Sequence, residues 1–192
     1  MTLAILYVVI AAILCVASLL ALLGTGHVRL SGADAIERDG LARGQRAPSW
    51  RLTDAAGHAY ASPRGRPLQL IVFADHSLKS FPSVVAGLRA LADDGDLEIV
   101  ILTRRTASEA EPVLASLGLA AIPVLDGSAA SYASYNVRVM PFAIFVDQAG
   151  LVRASSLVNH DWQLAKLRQV AAIPLAADEA PARRRRLAMD AP

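Results

Sequence analysis

The stretch "VFADHSLKSFPSVV", residues 72–85, carries the side chains that come closest to a reactive set. Asp75, His76 and Ser77 are the three residue types of a hydrolytic triad. Adjacent residues in one turn cannot line up as nucleophile, base and orienting acid, and no motif for an oxyanion site accompanies them. The triad interpretation is therefore rejected. What remains is a polar turn between a predicted strand and a predicted helix.

Two serines lie three positions apart in this turn, in the sequence Ser77-Leu78-Lys79-Ser80. A serine hydroxyl at neutral pH neither attacks a disulfide nor resolves a mixed disulfide. The turn precedes a predicted helix, whose first N–H groups lack intrahelical partners, and Ser77 is predicted as the N-cap. Lys79 is interpreted as a solvated charge at the rim. We therefore expect the turn to bind through backbone groups rather than to catalyse.

Cysteine, histidine and glycine usage excludes several kinds of site. The chain has one cysteine, Cys15, so it cannot form an intrachain disulfide, a CxxC pair or a cysteine-rich zinc site. The histidines show no metal-ligand spacing, and the glycines form no phosphate-binding loop. The net charge of +2 does not indicate nucleic-acid binding by the whole molecule. The sequence predicts no catalytic residue, no metal, no cofactor and no nucleic-acid partner.

Apolar runs and turn signals predict the elements that position the turn. Continuous apolar runs predict buried strands at 67–74 and 97–103, and period-3.6 patterns predict helices at 80–93, 107–119 and 161–171. Asp54–Gly57 predicts the turn of a first hairpin, and Gln148–Gly150 the turn of a second over 142–158. Ser108 is predicted to cap the second helix. The order β-α-β-α-β-β-α predicts an α/β fold, a mixed sheet with helices on both faces.

The chain divides into four predicted regions. Residues 3–24 carry no charge and are long enough to cross a bilayer, and they lack the basic start of a cleaved signal peptide, so they predict a transmembrane anchor. Residues 25–46 are interpreted as a juxtamembrane linker and 47–172 as the globular domain. Residues 173–192 are Ala- and Pro-rich and are predicted to be disordered. Their basic run, Arg183–Arg186, is interpreted as solvated.

Three segments resemble known proteins. "GQRAPSWRLTDAAG" resembles the first hairpin of redoxin-type (TlpA-like) thioredoxin-fold proteins, and "VRVMPFAIFVDQAGLVRA" resembles their proline before a strand followed by VDxxGxV. "SLVNHDWQLAKL" is similar to the closing segment of the membrane-anchored methylamine-utilisation accessory proteins of the MauD type. The resemblance covers roughly residues 3–170. It implies a thioredoxin fold behind one N-terminal transmembrane helix.

The resemblance also implies a location and an activity. In that family the domain faces the periplasm from the inner membrane and helps to mature the disulfide-rich small subunit of methylamine dehydrogenase, through a CxxC at the first helix. This chain departs from the family there. Counted from the preceding strand, the two cysteine positions hold Ser77 and Ser80; counted from the helix proline, Pro82, they hold Ala74 and Ser77. Neither placement contains sulfur.

A peptide-binding groove is the part of the family site that this chain could retain. In the family, a cis proline opposite the turn presents its backbone to an extended partner segment. The resemblance places the groove at His76, Ser77, Leu78, Lys79, Ser80, Met140 and Pro141. The predicted function is therefore a membrane-anchored binding, assembly or maturation factor for a partner protein. The alternatives are a thiol–disulfide oxidoreductase that uses cysteines of a partner, and a structural subunit of a membrane complex.

Overall fold

The computed structural model describes residues 39–64 and 66–175. The predicted anchor at 3–24 and the basic run Arg183–Arg186 lie outside the described residues, as does most of the predicted linker. Within the part of the chain that is described, no helix is both long enough and apolar enough to span a bilayer.

Seven strands and four helices lie within 39–64 and 66–175. They are, in chain order, β1 Trp50–Thr53, β2 Ala59–Ser62, β3 Leu68–Phe73, α1 Pro82–Ala92, β4 Leu97–Thr103, α2 Ala107–Ser116, β5 Val124–Asp126, α3 Ala129–Ser134, β6 Phe142–Asp147, β7 Val152–Leu157 and α4 Asp161–Ala172. Both predicted hairpins and all three predicted helices are present. The residue that precedes α2 as its N-cap is Thr106, not Ser108 as the sequence predicts.

The main sheet has five strands in the order β5-β4-β3-β6-β7. Strands β3, β4 and β5 are parallel to one another. Strand β6 runs antiparallel to β3, and β7 runs antiparallel to β6. The central strand β3 is buried along its whole length, and apart from Gln69 its residues are apolar, as is typical of a strand covered on both faces. Strands β1 and β2 form a separate antiparallel hairpin.

Two apolar cores cover the two faces of this sheet. Helices α1, α2 and α4 supply one of them, for example through Leu88, Leu114 and Leu164. Helix α3 and the β1–β2 hairpin supply the other, through residues such as Tyr132 and Trp50. The prediction of a mixed sheet with helices on both faces is therefore confirmed.

Residues 39–46, which the sequence assigns to the linker, lie against the sheet domain. The Gly40 N–H donates to the Asn136 carbonyl at 2.8 Å, and the Gly44 N–H donates to the Val152 carbonyl at 2.7 Å. Leu41 is buried in the same core as α3. Residues 39–46 thus pack as part of the same compact unit as the sheet. The few apolar side chains of residues 39–46 stand among polar residues and show no helix or strand periodicity, so the sequence did not predict this packing.

Candidate functional site

The predicted turn and the predicted proline loop meet at one edge of the sheet. Phe73, the last residue of β3, pairs with Phe142, the first residue of β6. Ala74 and Pro141 are therefore the next residues outward on two adjacent antiparallel strands. The Met140–Pro141 peptide bond is cis. This is the juxtaposition that the family resemblance implies for a groove.

Asp75 organises the turn that follows β3. Its Oδ1 accepts the Ser77 N–H at 2.9 Å and the Ser77 hydroxyl at 2.7 Å, while its carbonyl accepts the Leu78 N–H at 3.1 Å. Arg105 Nε lies 3.6 Å from the same carboxylate oxygen. Burial acts to raise the pKa of Asp75, but the two bonds from Ser77 and the Arg105 charge outweigh it, so the pKa lies below its ordinary value. Asp75 is thus an ionised anchor for the turn.

Helix α1 begins later than the sequence predicts. Its first residue is Pro82, and its N-cap is Phe81, which makes no side-chain capping bond. Proline is favoured at the first helical position because its fixed φ suits the helix and its missing N–H has no partner to lose there. The Ser77 hydroxyl is bonded to Asp75, in the turn before the helix. The prediction of Ser77 as the N-cap is therefore wrong.

The two placements of the missing cysteine pair differ in exposure. Ser77 is exposed and Ser80 is half-buried, so both side chains of that pair reach the surface. Ala74 is 1% exposed and belongs to the core beneath α1. A reaction partner could therefore approach both positions of the first pair, but only one of the second.

The remaining groove residues line the turn and the facing loop. Lys79 is exposed, as predicted, and Leu78 packs its partly buried side chain on the core beneath α1. Met140 is half-buried against the opposite core, and Pro141 is buried. His76 is partly exposed, and its Nδ1 is buried without a hydrogen-bond partner. The Ser77 hydroxyl donates to Asp75 and not to His76, so the turn holds no Ser-His-Asp relay.

Val139 and Trp162 are large apolar side chains that the structure leaves exposed. Val139, two residues before Pro141, is 48% exposed. On the other side, the Val158 N–H donates to the Pro141 carbonyl at 2.9 Å, and the chain continues directly into α4. Trp162, in the first turn of α4, is 58% exposed and stacks on His160 with ring centroids 6.5 Å apart.

Two consecutive arginines follow β4 at the same edge of the sheet. Arg105 faces Asp75, whereas the guanidinium of Arg104 lies over the Tyr132 ring, 4.6 Å from its centroid. The Tyr132 hydroxyl donates to the Leu102 carbonyl at 2.8 Å. Burial raises the pKa of Tyr132, so the phenol stays neutral at physiological pH. The sequence did carry a signal for this cluster, because residues that follow adjacent parallel strands meet at one edge.

The chemistry available at this edge is limited by its side chains. Residues 74–80 include no cysteine, so the turn itself carries no thiol. Among residues 39–64 and 66–175, no three His, Cys, Asp or Glu side chains are grouped closely enough to hold a metal ion. The site offers backbone groups, hydroxyls, apolar surface and positive charge, which are means of binding rather than of covalent catalysis.

Comparison with solved structures identifies the architecture. A candidate thiol:disulfide interchange protein DsbE from Chlorobium tepidum superposes with a TM-score of 0.58 at 18% identity, over 68% of this chain and 95% of that chain. This is the thioredoxin fold. At such low identity the likeness shows the fold alone. No protein-family model and no curated protein sequence matches the chain.

Two further neighbours share the thioredoxin fold. The thioredoxin domain of a thiol-disulfide oxidoreductase from Bacteroides vulgatus aligns at 18% identity with a TM-score of 0.53, covering 66% of this chain and 97% of that chain. A thioredoxin-like protein from Aeropyrum pernix aligns at 13% identity with a TM-score of 0.54, covering 63% and 88%. The turn after β3 and the cis proline before β6 thus belong to a thioredoxin-fold domain.

Proposed function

We propose that this thioredoxin-fold domain binds a partner protein through the groove between the Ser77–Ser80 turn and the Met140–Pro141 loop, and that it acts as an assembly or maturation factor without thiol chemistry. One observation carries the proposal. The turn and the cis proline meet at one sheet edge, as a peptide groove requires, yet the turn carries serines where a redox pair would need cysteines. A hydroxyl cannot replace a thiolate in disulfide exchange.

The apolar surface beside the groove supports a protein as the ligand. The exposed large apolar side chains among the described residues are Val113, Val139, Trp162 and Ile173. One of these, Val139, lies two residues before the cis proline, and Trp162 lies four residues after Val158, whose N–H donates to the Pro141 carbonyl. Tryptophan is enriched where proteins bind one another, since a large ring buries much surface at little entropic cost. A partner segment that crosses Pro141 would cover the exposed Val139 side chain.

The finer biological role extends the same proposal. The segment "SLVNHDWQLAKL" is similar to the closing segment of methylamine-utilisation accessory proteins, and we propose maturation of a disulfide-rich subunit in that process. The uncharged residues 3–24 favour an anchor in the inner membrane. The family resemblance favours a domain on the periplasmic side.

Site-directed photo-crosslinking tests the groove. A benzophenone amino acid replaces Lys79 in the groove or, as the matched control, Glu111 on the exposed face of α2. We expect a discrete crosslinked product from position 79 and none from position 111. Val139→Asp should abolish the product, because it places a charge on the apolar side of the groove. The same product from both positions, or one that survives Val139→Asp, contradicts the proposal.

The oxidoreductase alternative is supported by the fold that this chain shares with the candidate DsbE protein of Chlorobium tepidum. An insulin-reduction assay with dithiothreitol distinguishes it from binding. We expect precipitation of insulin at the uncatalysed rate, both for the wild type and for Cys15→Ser. A rate above that background would favour the enzyme, and dependence on Cys15 would assign the thiol.

A further inference from the structure

A cavity of about 620 Å³ lies beside the groove, between α3 and the carboxyl ends of β4 and β5. Its walls include Arg104 after β4, Gly127 after β5, Tyr132 and Ala133 on α3, and Val137 and Arg138 in the loop that leads to the cis proline. The volume falls in the range of small-molecule sites in proteins. Its place also fits, because ligands of open α/β sheets bind outside the carboxyl ends of the strands.

The charge of the lining indicates the kind of ligand. Two guanidinium groups, Arg104 and Arg138, line the cavity, and no carboxylate does. Asp39 lies 3.4 Å from Arg138 Nε and offsets part of that charge. Asp75, which acts electrostatically on Tyr132, is paired with Arg105. Arg104 is different: among the described residues, no carboxylate lies within ion-pair distance of its guanidinium.

The guanidinium of Arg104 is held in place without being neutralised. Its central carbon lies 4.6 Å from the centroid of the Tyr132 ring, which attracts a cation through its quadrupole. The ring is itself fixed, because its hydroxyl donates to the Leu102 carbonyl at 2.8 Å and its edge packs on Phe73. A cation–π contact does not use up the N–H donors of the guanidinium. Those donors match the two oxygens of a carboxylate or phosphate.

We propose that this cavity binds a small organic anion, whose carboxylate or phosphate pairs with Arg104 and whose apolar body packs on Ala133 and Val137. The site is distinct from the groove and does not depend on the proposed binding of a partner protein. The lining is apolar apart from the two arginines and the tyrosine, so an inorganic anion would leave most of the cavity wall without contact.

The experiment titrates the ¹⁵N-labelled full-length chain with four probes and follows amide signals by NMR. The probes are benzoate, phenyl phosphate, inorganic phosphate and benzyl alcohol. We expect saturable shifts at Gly127 and Val137 with one or both aromatic acids, at millimolar affinity, and weaker effects from inorganic phosphate and benzyl alcohol. Whichever of benzoate and phenyl phosphate binds more tightly then shows whether the site prefers a carboxylate or a phosphate.

Three variants assign the binding to the cavity. Arg104→Gln should weaken the preferred acid about tenfold, because a charge-assisted pair is lost. Ala133→Glu should also weaken it, because it places a carboxylate in the wall. The control Arg51→Gln, on exposed β1, should leave the affinity unchanged. The proposal is overturned if no acid gives saturable shifts, if benzyl alcohol binds as tightly, or if binding survives both cavity variants.

Discussion

Asp75→Asn tests whether an ionised carboxylate holds the turn at the groove. The wild-type Oδ1 accepts two bonds from Ser77, at 2.9 and 2.7 Å, and the side chain is 17% exposed. Asparagine retains a carbonyl acceptor of the same shape but removes the charge. The substitution therefore isolates the electrostatic part of the two bonds and of the Arg105 contact.

The size of the effect follows from the type of bond lost. A hydrogen bond to a charged group contributes about 1.5–3 kcal/mol net and one between neutral groups about 0.5–1.5, so each bond loses about 1 kcal/mol. Arg105 is 51% exposed and lies 3.6 Å away, so its pair with Asp75 adds well under about 1 kcal/mol. We expect Asp75→Asn to lower the free energy of unfolding by about 2 kcal/mol at pH 7.

The lowered pKa of Asp75 also predicts how the stability difference between wild type and Asp75→Asn changes with pH. The pKa of Asp75 is lowered in the folded state, so folding favours the ionised carboxylate. The stabilisation is fully present above the unfolded pKa of about 3.9, and it is lost as the pH falls through the lower, folded pKa. The difference between wild type and Asp75→Asn should therefore be constant near pH 7 and should shrink in strong acid.

Urea unfolding, followed by tryptophan fluorescence, measures the effect. Trp50 reports on the fold, since its indole N–H donates to the Tyr135 hydroxyl at 3.0 Å. The control Asp93→Asn changes an exposed aspartate at the end of α1 and should leave the free energy of unfolding nearly unchanged. The reasoning fails if Asp75→Asn and Asp93→Asn lower the free energy of unfolding equally at pH 7. It also fails if the loss caused by Asp75→Asn is the same at pH 7 and in acid.

Two further predictions concern packing and the cysteine positions. Gly87→Ala should destabilise the fold by about 1–3 kcal/mol in the same urea assay, because the new Cβ would lie 2.8 Å from a backbone carbonyl oxygen of α4. Gly95→Ala meets no atom within 4 Å and should be neutral or slightly stabilising; equal costs for the two would refute the packing argument. Ser77→Cys with Ser80→Cys should oxidise readily to a disulfide, whereas Ala74→Cys with Ser77→Cys should keep free thiols, because residue 74 is 1% exposed. Thiol counts after oxidation would contradict this if they showed the reverse.

The long elements of the fold could be predicted because their signals are strong and local. Strands β3 and β4 are continuous apolar runs, and both hairpins carry clear turn residues. Strand β5 and helix α3 have three and six residues, too few for a period to show. Strand β5 owes its existence to pairing with β4, through Ile101–Thr103, which is a contact between distant parts of the chain.

The errors at the site have local physical causes. Ser77 has the right residue type for a cap, but its hydroxyl bonds to Asp75 two residues before it, and Pro82 sets the helix start instead. Such competition between a cap and a side-chain turn depends on conformation, which composition does not reveal. Trp162 is an apolar residue of α4, yet it lies outside the buried stripe of that helix. The stripe is formed by Leu164, Leu167 and Ala171, at helical spacing that excludes position 162.

The two proposals place separate binding surfaces at this sheet edge, and those surfaces should respond independently to mutation. Asp75 controls the turn through Ser77, on the groove side, whereas Arg104 lies over Tyr132, on the cavity side. Asp75→Asn should lower crosslinking from position 79 and leave the affinity for the aromatic acid nearly unchanged. Arg104→Gln should lower the affinity for the aromatic acid and leave crosslinking from position 79 nearly unchanged, because the Arg104 guanidinium packs on Tyr132 rather than on the Asp75–Ser77 turn. If each variant impaired both readouts equally, the groove and the cavity would be one site, and the partner itself would supply the anion.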